Sequence, residues 1–224
     1  MKLPIRDRVS AGRALAAALA RYRGRDDVLV LALPRGGVPV AAEVAGALGA
    51  QLDLMIVRKL GTPGQPELAM GAIASGGIRV LNEDIVSSLR ISHEVIERVA
   101  GREQEELERR ERAYRGERPR PAVEGKHVIL IDDGIATGAT MRAAIAGLRR
   151  QRPASIVVAV PVAPPDTVEL LRAEADEVVC PATPEPFFAI GRWYVEFPQL
   201  TDEEVRGELT RVWQAGEQPA SCKE

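Results

Sequence analysis

Apolar and polar positions along the chain form two kinds of segment. Short runs rich in Val, Ile and Leu, bounded by Gly, Pro or charged residues, predict strands. These runs occupy residues 28–33, 52–57, 70–74, 77–81, 128–131, 156–160 and 177–179. Apolar residues at helical spacing predict helices over residues 13–21, 38–48, 82–118, 140–150, 166–173 and 201–213. Because strands and helices alternate, we expect an α/β fold with a parallel sheet flanked by helices.

Turn and capping residues refine this pattern. Thr201 and Glu204 form a capping box at the start of the last helix. Residues 58–66 are rich in Gly and Pro, which predicts irregular structure. The resulting domain prediction is a single domain over residues 1–215, with a helical insertion over 82–118, a small hood over 184–198 and a flexible tail over 216–224.

The insertion is strongly charged. Glu precedes Arg by four residues, the favourable order on a helix, in the pairs Glu105/Arg109, Glu106/Arg110, Glu108/Arg112 and Glu111/Arg115. Ala100, Leu107 and Tyr114 leave only a narrow apolar seam. We expect a solvated helix that packs by one edge, and the alternative is a dimerisation arm.

The composition is that of an ordinary soluble globular protein, since 46% of the 224 residues are hydrophobic and 28% are charged. The net charge is −2, so the sequence lacks the excess of basic residues that is typical of general nucleic-acid binding. No apolar run approaches the length of a membrane span, and residues 1–10 lack the apolar core of a signal peptide, so we expect a cytoplasmic protein. The two Cys and two His residues have no metal-site spacing, so we expect no zinc site.

Residues 128–140 carry the most informative pattern in the chain. An apolar strand ends in Asp132 and Asp133, at the edge where open α/β sheets bind ligands. Small and hydroxyl residues then lead directly into a helix: Ala136, Thr137, Gly138, Ala139 and Thr140. Such a loop and helix N-terminus favour a phosphate, whereas two carboxylates suit sugar hydroxyls and Mg²⁺. The pattern predicts a site for a phosphorylated sugar, with Asp132 and Asp133 as magnesium ligands, directly or through water.

This segment closely resembles the signature of the type I phosphoribosyltransferases, which combines strand, acidic pair, Thr-Gly loop and helix in this order. The resemblance implies that Asp132 and Asp133 hold the ribose hydroxyls of 5-phosphoribosyl-1-pyrophosphate and support positive charge at its reacting carbon. It also implies that residues 136–140 bind the 5-phosphate and that Mg²⁺ is the cofactor. No Gly-Lys-Ser/Thr sequence follows the glycines, so the segment is not a P-loop.

Two loops upstream resemble further parts of the same family. Arg35, Gly36 and Gly37 follow the first strand and resemble the loop that binds the diphosphate, where glycines allow an unusual backbone and Arg supplies charge. Arg58 and Lys59 begin a stretch that resembles the lid over the active site, where they would neutralise the departing diphosphate. The alternatives are an ordinary strand–helix turn and an ordinary surface loop.

The predicted hood resembles the segment that holds the base in purine-salvage members. Phe188 is a candidate to stack on the acceptor, and Trp193 is a second one. The alternative for both is a place in the hydrophobic core. Enzymes for 6-oxopurines usually carry an aspartate where this chain has Ala136, and the layout as a whole resembles bacterial phosphoribosyltransferases whose acceptor is unassigned. The acceptor therefore stays open.

The expected function is transfer of the 5-phosphoribosyl group from 5-phosphoribosyl-1-pyrophosphate to a nucleobase or related acceptor, with release of diphosphate. The alternative is a regulatory protein that binds the same donor without catalysis. Such regulators usually add a DNA-binding domain or a basic surface, and only residues 1–27 precede the first strand. The expected partners are the donor and a small acceptor, without nucleic acid or membrane, and the oligomer considered is a homodimer.

Overall fold

The computed structural model describes residues 1–217, and the side chains of all of these except residues 66, 67, 216 and 217. Five parallel strands form its central sheet, namely β1 (Val28–Ala32), β2 (Gln51–Leu54), β6 (His127–Ile131), β7 (Ser155–Ala159) and β8 (Glu177–Val179). Their order across the sheet is β2-β1-β6-β7-β8. The predicted α/β fold with a parallel sheet is confirmed.

Helices cover both faces of this sheet, namely α1 (Arg8–Ala18), α2 (Gly37–Leu48), α5 (Ala139–Arg149), α6 (Pro165–Arg172) and α7 (Asp202–Glu217). Alternate residues of each central strand enter different cores, because side chains along a strand point to opposite faces. Val30 and Ile129 belong to the core that includes α1, α2 and α7, whereas Leu31 and Leu130 pack with α5 and α6. The loops at the carboxyl ends of the strands are thus held on a rigid three-layer frame.

A second sheet contradicts the expectation of irregular structure over residues 58–66. It contains the antiparallel strands β3 (Val57–Thr62), β4 (Gln65–Ala74) and β5 (Ile78–Leu81). The prediction was wrong because Pro63 and Gly64 occupy only the hairpin turn, while the residues before them pair with β4. Residues 52–57 are correspondingly split between β2 and β3.

The insertion forms two helices, α3 (Glu83–Ser88) and α4 (His93–Arg115). The apolar seam of Ala100, Leu107 and Tyr114 is buried, as predicted. Three of the four predicted ion pairs form, but Arg109 pairs with Glu106 instead of Glu105.

The charged side of α4 is not entirely solvated, which corrects the sequence-based interpretation. Arg115 is buried and donates from Nη2 to Oδ1 of Asp53 on β2 at 2.9 Å. Glu111 is also buried and pairs with Arg115 and Arg120. Burial raises the pKa of Asp53, and the Arg115 charge opposes that shift. A buried ion pair therefore ties the insertion to the central sheet.

The helix ends follow their capping residues. α1 begins at Arg8, before the predicted start, because the Asp7 carboxylate accepts the N–H of Ser10 at 2.6 Å. The capping box of α7 is present, since Thr201 and Glu204 each accept the other's N–H. α7 reaches Glu217, and the rest of the predicted tail lies outside the described residues. Within residues 1–217 no helix is long and apolar enough to cross a membrane.

Candidate active site

The acidic pair lies at the carboxyl end of β6, which is the central strand of the parallel sheet. Asp132 is half-buried and Asp133 is buried. The N–H of Asp133 donates to Oδ1 of Asp132 at 2.8 Å. The two carboxylates therefore follow a strand whose last four residues are buried, at the edge where such sheets bind ligands.

Residues 136–140, the phosphate loop, form one cavity with the first aspartate. This cavity has a volume of about 210 Å³ and is lined by Asp132, residues 134–141 and Ile190. Gly138 adopts a left-handed conformation with φ of 77°, and α5 begins at the next residue. The first N–H groups of a helix have no intrahelical partner, so this turn is suited to an anion. The structure thus brings together Asp132 and all five predicted loop residues.

Thr167 of α6 forms a hydrogen bond with the backbone of the phosphate loop. Its buried hydroxyl donates to the carbonyl oxygen of Ala136 at 2.8 Å. A Cβ added to Gly138 would lie 3.0 Å from Cγ2 of Thr167, so glycine also allows the loop to approach α6 closely. Sequence reasoning did not find Thr167, because no local motif connects it with a loop far earlier in the chain.

Residues 33–37, the glycine loop, pack directly on the acidic pair. The peptide between Pro34 and Arg35 is cis. A Cβ on Gly36 would overlap the Asp133 carboxylate, and one on Gly37 would lie 2.7 Å from the carbonyl oxygen of Ile131. Glycine is required at both positions, because the backbone of residues 36 and 37 lies too close to the end of β6 to leave room for a side chain.

Arg35 is held by the chain that follows the hood. Its Nη1 donates to the carbonyl oxygen of Leu200 at 2.6 Å and lies 3.9 Å from Oδ1 of Asp202. The same carboxylate accepts from the hydroxyl of Tyr114 at 2.6 Å. Burial and this hydrogen bond raise the pKa of Tyr114 to about 12. The glycine loop is therefore tied to both α4 and α7.

The two cations at the start of the hairpin have different surroundings. Nε of Arg58 donates to Oε2 of Glu103 on α4 at 2.8 Å. Lys59 lines a cavity of about 550 Å³ between the second sheet and α5, which Ala139 and Thr140 also line. Lys59 thus shares a cavity with the end of the phosphate loop, whereas Arg58 contacts the insertion.

The structure separates the two aromatic candidates of the hood, since Phe188 lies outside the core whereas Trp193 packs against it. Phe188 is 72% exposed, so it does not belong to the core, and the guanidinium of Arg192 lies 5.5 Å from its ring centre. Trp193 is half-buried against Phe187, with ring centres 6.1 Å apart. Ile190 of the hood lines the cavity of the phosphate loop.

A cluster around Arg8 joins the acidic pair to the hood. Nε of Arg8 donates to Oδ2 of Asp133 at 2.8 Å, and its guanidinium lies 3.9 Å from the ring centre of Phe197. The Tyr194 hydroxyl donates to the carbonyl oxygen of Asp133 at 2.6 Å and its ring stacks on Phe197. Sequence reasoning did not find Arg8 or Tyr194, because their partner lies more than 60 positions away.

The family model for the phosphoribosyl transferase domain matches residues 3–192, which include both aspartates and the loops around them. The chain belongs to this family. The predicted type I phosphoribosyltransferase resemblance is therefore confirmed at the level of the family.

Similar proteins support this assignment. Two curated Mycobacterium tuberculosis proteins, "Putative phosphoribosyl transferase MT0597" from strain CDC 1551 / Oshkosh and "Putative phosphoribosyl transferase Rv0571c" from strain ATCC 25618 / H37Rv, are each 48% identical over 206 residues. These matches cover 92% of this chain and 46% of each relative, so the chain spans about half their length. The crystal structure of TT1426 from Thermus thermophilus matches with a TM-score of 0.82 at 46% identity, covering 94% of this chain and 99% of that one.

The electrostatics of this phosphoribosyl transferase domain centre on the acidic pair. Burial, and then the neighbouring Asp133 carboxylate, raise the pKa of Asp132 well above its ordinary value. Burial also raises the pKa of Asp133, and the hydrogen bond from Arg8 opposes that shift. A cation or a hydroxyl donor beside Asp132 would therefore be favourable. Among the residues that the structure describes, no three His, Cys, Asp or Glu side chains cluster to hold a metal ion.

Proposed function

We propose that this protein transfers the 5-phosphoribosyl group from 5-phosphoribosyl-1-pyrophosphate to a nucleobase or related small acceptor and releases diphosphate. The observation that carries this proposal is the single cavity in which Asp132 and the phosphate loop meet, at the carboxyl edge of the sheet. Membership of the phosphoribosyl transferase domain family supports it. We assign the activity to one domain over residues 1–215.

In the proposed binding mode, each part of the donor meets a different part of the site. The 5-phosphate lies on residues 136–140 and the N-terminus of α5, where unpaired N–H groups favour an anion. The ribose hydroxyls then face the acidic pair at the end of β6, because carboxylates accept hydrogen bonds from hydroxyls. The diphosphate extends towards Gly36 and Gly37, whose backbone packs against that pair. Arg35 would supply charge to it by giving up its contacts with Leu200 and Asp202.

Mg²⁺ fits the donor set of this site. The half-buried Asp132 carboxylate has a raised pKa and would gain from a neighbouring cation. Mg²⁺ usually takes one or two protein carboxylates and completes its octahedron with water and phosphate oxygens, so it does not need a cluster of three protein ligands. When bound with the donor it would neutralise charge on the diphosphate.

The protein's own part in the reaction is positional and electrostatic. The bond from the ribose carbon to the diphosphate breaks as the bond to the acceptor nitrogen forms, and the carbon carries positive charge in between. The acceptor nitrogen gives up its proton to the departing diphosphate, which balances the step. The acidic pair stabilises that charge, and no nucleophilic side chain is required. The β3–β4 hairpin closes over the donor with Lys59, which excludes water from the reacting carbon. Phe188, exposed on the hood, is available to stack on an acceptor ring.

The test combines donor binding with an acceptor screen. With the donor at about one hundred times its Kd, together with Mg²⁺, the folded state should gain about 2.7 kcal/mol, which raises Tm by about 5–10 °C for a protein of this size. Asp132→Asn should lose most of that shift. Asp26→Asn, an exposed aspartate before β1, is the matched control and should keep it.

Diphosphate release is then measured with adenine, uracil, orotate, xanthine, hypoxanthine and guanine as acceptors. Turnover with at least one acceptor, lost in Asp132→Asn, is the expected result. No Tm shift with donor and Mg²⁺ in the unmodified protein would refute the donor site. Donor binding without turnover on any acceptor would favour a regulatory protein over an enzyme.

A further inference from the structure

A further cavity lies between the β3–β4 hairpin and the first half of α4, away from the acidic pair. Its volume is about 600 Å³, which is within the range of about 300–1,000 Å³ that is usual for small-molecule sites. The hairpin contributes residues 58, 59 and 61–64, and α4 contributes side chains between residues 95 and 103. None of these residues lines the cavity that Asp132 shares with the phosphate loop. The cavity is therefore separate from the proposed donor site.

Basic side chains dominate the walls of this cavity. Arg58 and Lys59 line it from β3, and Arg98 and Arg102 line it from α4. Glu103 is the one carboxylate among the described residues that line it, and its Oε2 accepts from Nε of Arg58 at 2.8 Å. The two arginines of α4 are thus left without a counter-charge inside the cavity. Because walls of one charge sign concentrate ions of the opposite sign, the cavity favours an anion.

The pairing of Glu and Arg along α4 is interrupted at this cavity. Arg109 and Arg112 each pair with a Glu about one turn earlier on the helix. Arg102, in contrast, is exposed and forms no ion pair or hydrogen bond with any residue that the structure describes. Arg98 lies about one turn before it and donates to the exposed Glu94 at 3.4 Å, which is long for a hydrogen bond. Two arginines four residues apart on a helix repel each other, so an anion between them would be favourable.

An apolar surface adjoins these arginines. Val95 and Val99, which are half-buried, line the cavity about one turn apart on α4, and Pro63 lines it from the turn of the hairpin. Ligand sites usually combine such apolar walls with a few convergent polar groups. A guanidinium can donate two parallel hydrogen bonds to phosphate oxygens, so the charged wall suits a phosphate chain. The apolar wall suits a ring attached to that chain.

We propose that this cavity binds the phosphate chain of a small phosphorylated compound. Arg98 and Arg102 hold the chain from α4, and Arg58 contacts it from the hairpin. Inorganic oligophosphate and nucleotides present the same chain, so phosphate is the shared chemistry that the site recognises. A bound chain connects the hairpin with the insertion, which the pair of Arg58 and Glu103 already links. This site goes beyond the proposed function and does not depend on the transfer reaction.

The test titrates the ¹⁵N-labelled protein with inorganic triphosphate and, separately, with ATP, both without Mg²⁺. The amide NMR signals of Gly61 and Gly64, which line the cavity, report on this site, and that of Gly138 reports on the phosphate loop. Saturable shifts of the Gly61 and Gly64 signals are expected with both compounds and give a Kd for each. Tighter binding of ATP would identify a nucleotide as the ligand, whereas equal Kd values would identify the phosphate chain alone.

Two double variants of α4, each checked for folding by circular dichroism, assign the binding to the cavity. Arg98→Gln with Arg102→Gln should raise the Kd roughly tenfold or more, because charge-assisted hydrogen bonds to phosphate are lost. Arg109→Gln with Arg112→Gln removes the same charge from exposed positions outside the cavity and should keep the Kd within about threefold. Equal weakening by the two double variants would show unspecific attraction and overturn the proposal. Shifts confined to the Gly138 signal, or no saturable shift of Gly61 and Gly64, would overturn it as well.

Discussion

Substitution of the two aspartates by asparagine should change the stability of the ligand-free protein in opposite directions. Asp133→Asn leaves the buried Arg8 guanidinium without a counter-charge. Breaking a buried pair by removing one partner costs about 3–5 kcal/mol. Asparagine also removes the burial penalty that raises the pKa of Asp133, and its oxygen can still accept from Arg8, so we expect a smaller loss of about 1–2 kcal/mol. At 2–4 °C per kcal/mol for a protein of this size, Tm should fall by about 2–8 °C.

Asp132→Asn should instead raise Tm at neutral pH. Burial and the Asp133 charge raise the pKa of Asp132 in the folded protein above its unfolded value, so the folded state binds its proton more tightly. That stabilisation is present in acid and is lost as pH rises through the folded pKa. The unmodified protein should therefore lose stability relative to Asp132→Asn as pH increases from acid to neutral, and the variant should lack this dependence.

Thermal unfolding of the ligand-free protein, followed by circular dichroism across that pH range, measures both effects. Asp26→Asn is the control for an exposed aspartate and should stay within about 0.5 kcal/mol of the unmodified protein. A similar fall in Tm for both variants of the pair would show that the two carboxylates share one environment. That result would contradict the difference in partners on which the reasoning depends.

Three further predictions follow from the loops around the pair. Gly36→Ala should abolish donor binding and lower Tm, because the added methyl group overlaps the Asp133 carboxylate. Gly46→Ala in α2 is the control. It has open space around it, and in urea unfolding it should raise the free energy of unfolding by up to about 1 kcal/mol. Lys59→Ala should reduce turnover roughly tenfold or more, because Lys59 lines the cavity that the phosphate loop also lines. Arg58→Ala removes a contact to α4 and should reduce turnover less. Equal turnover of the two variants would contradict this difference. Hypoxanthine and guanine should be poor acceptors in steady-state assays, because Ala136 cannot exchange a proton with the base. General acid–base catalysis typically accelerates a reaction about 10²–10⁴-fold. Efficient use of either base would show that another group takes the place of the missing aspartate.

Several features of the fold could be predicted from local sequence. Four of the five parallel strands lie within one residue of the predicted bounds, because strands buried on both faces appear as continuous apolar runs. The fifth, β2, ends earlier than predicted because the apolar run continues into the hairpin. The β3–β4 hairpin was not predicted, because the Gly and Pro residues of 58–66 suggested a loop. Pairing with β4, a tertiary property of two segments, determines that structure.

The chemistry at the end of β6 could be predicted from local sequence alone. An apolar strand, two carboxylates, a loop of small residues and a helix are contiguous, so their order and their local geometry follow from neighbouring residues alone. The counter-charge of Asp133, in contrast, follows from tertiary packing alone. Arg8 lies 125 positions from Asp133 and had no feature that separated it from the other surface cations. Burial against Phe197 and Pro198 makes it the counter-charge of Asp133, because a guanidinium removed from water requires a partner that no local pattern specifies.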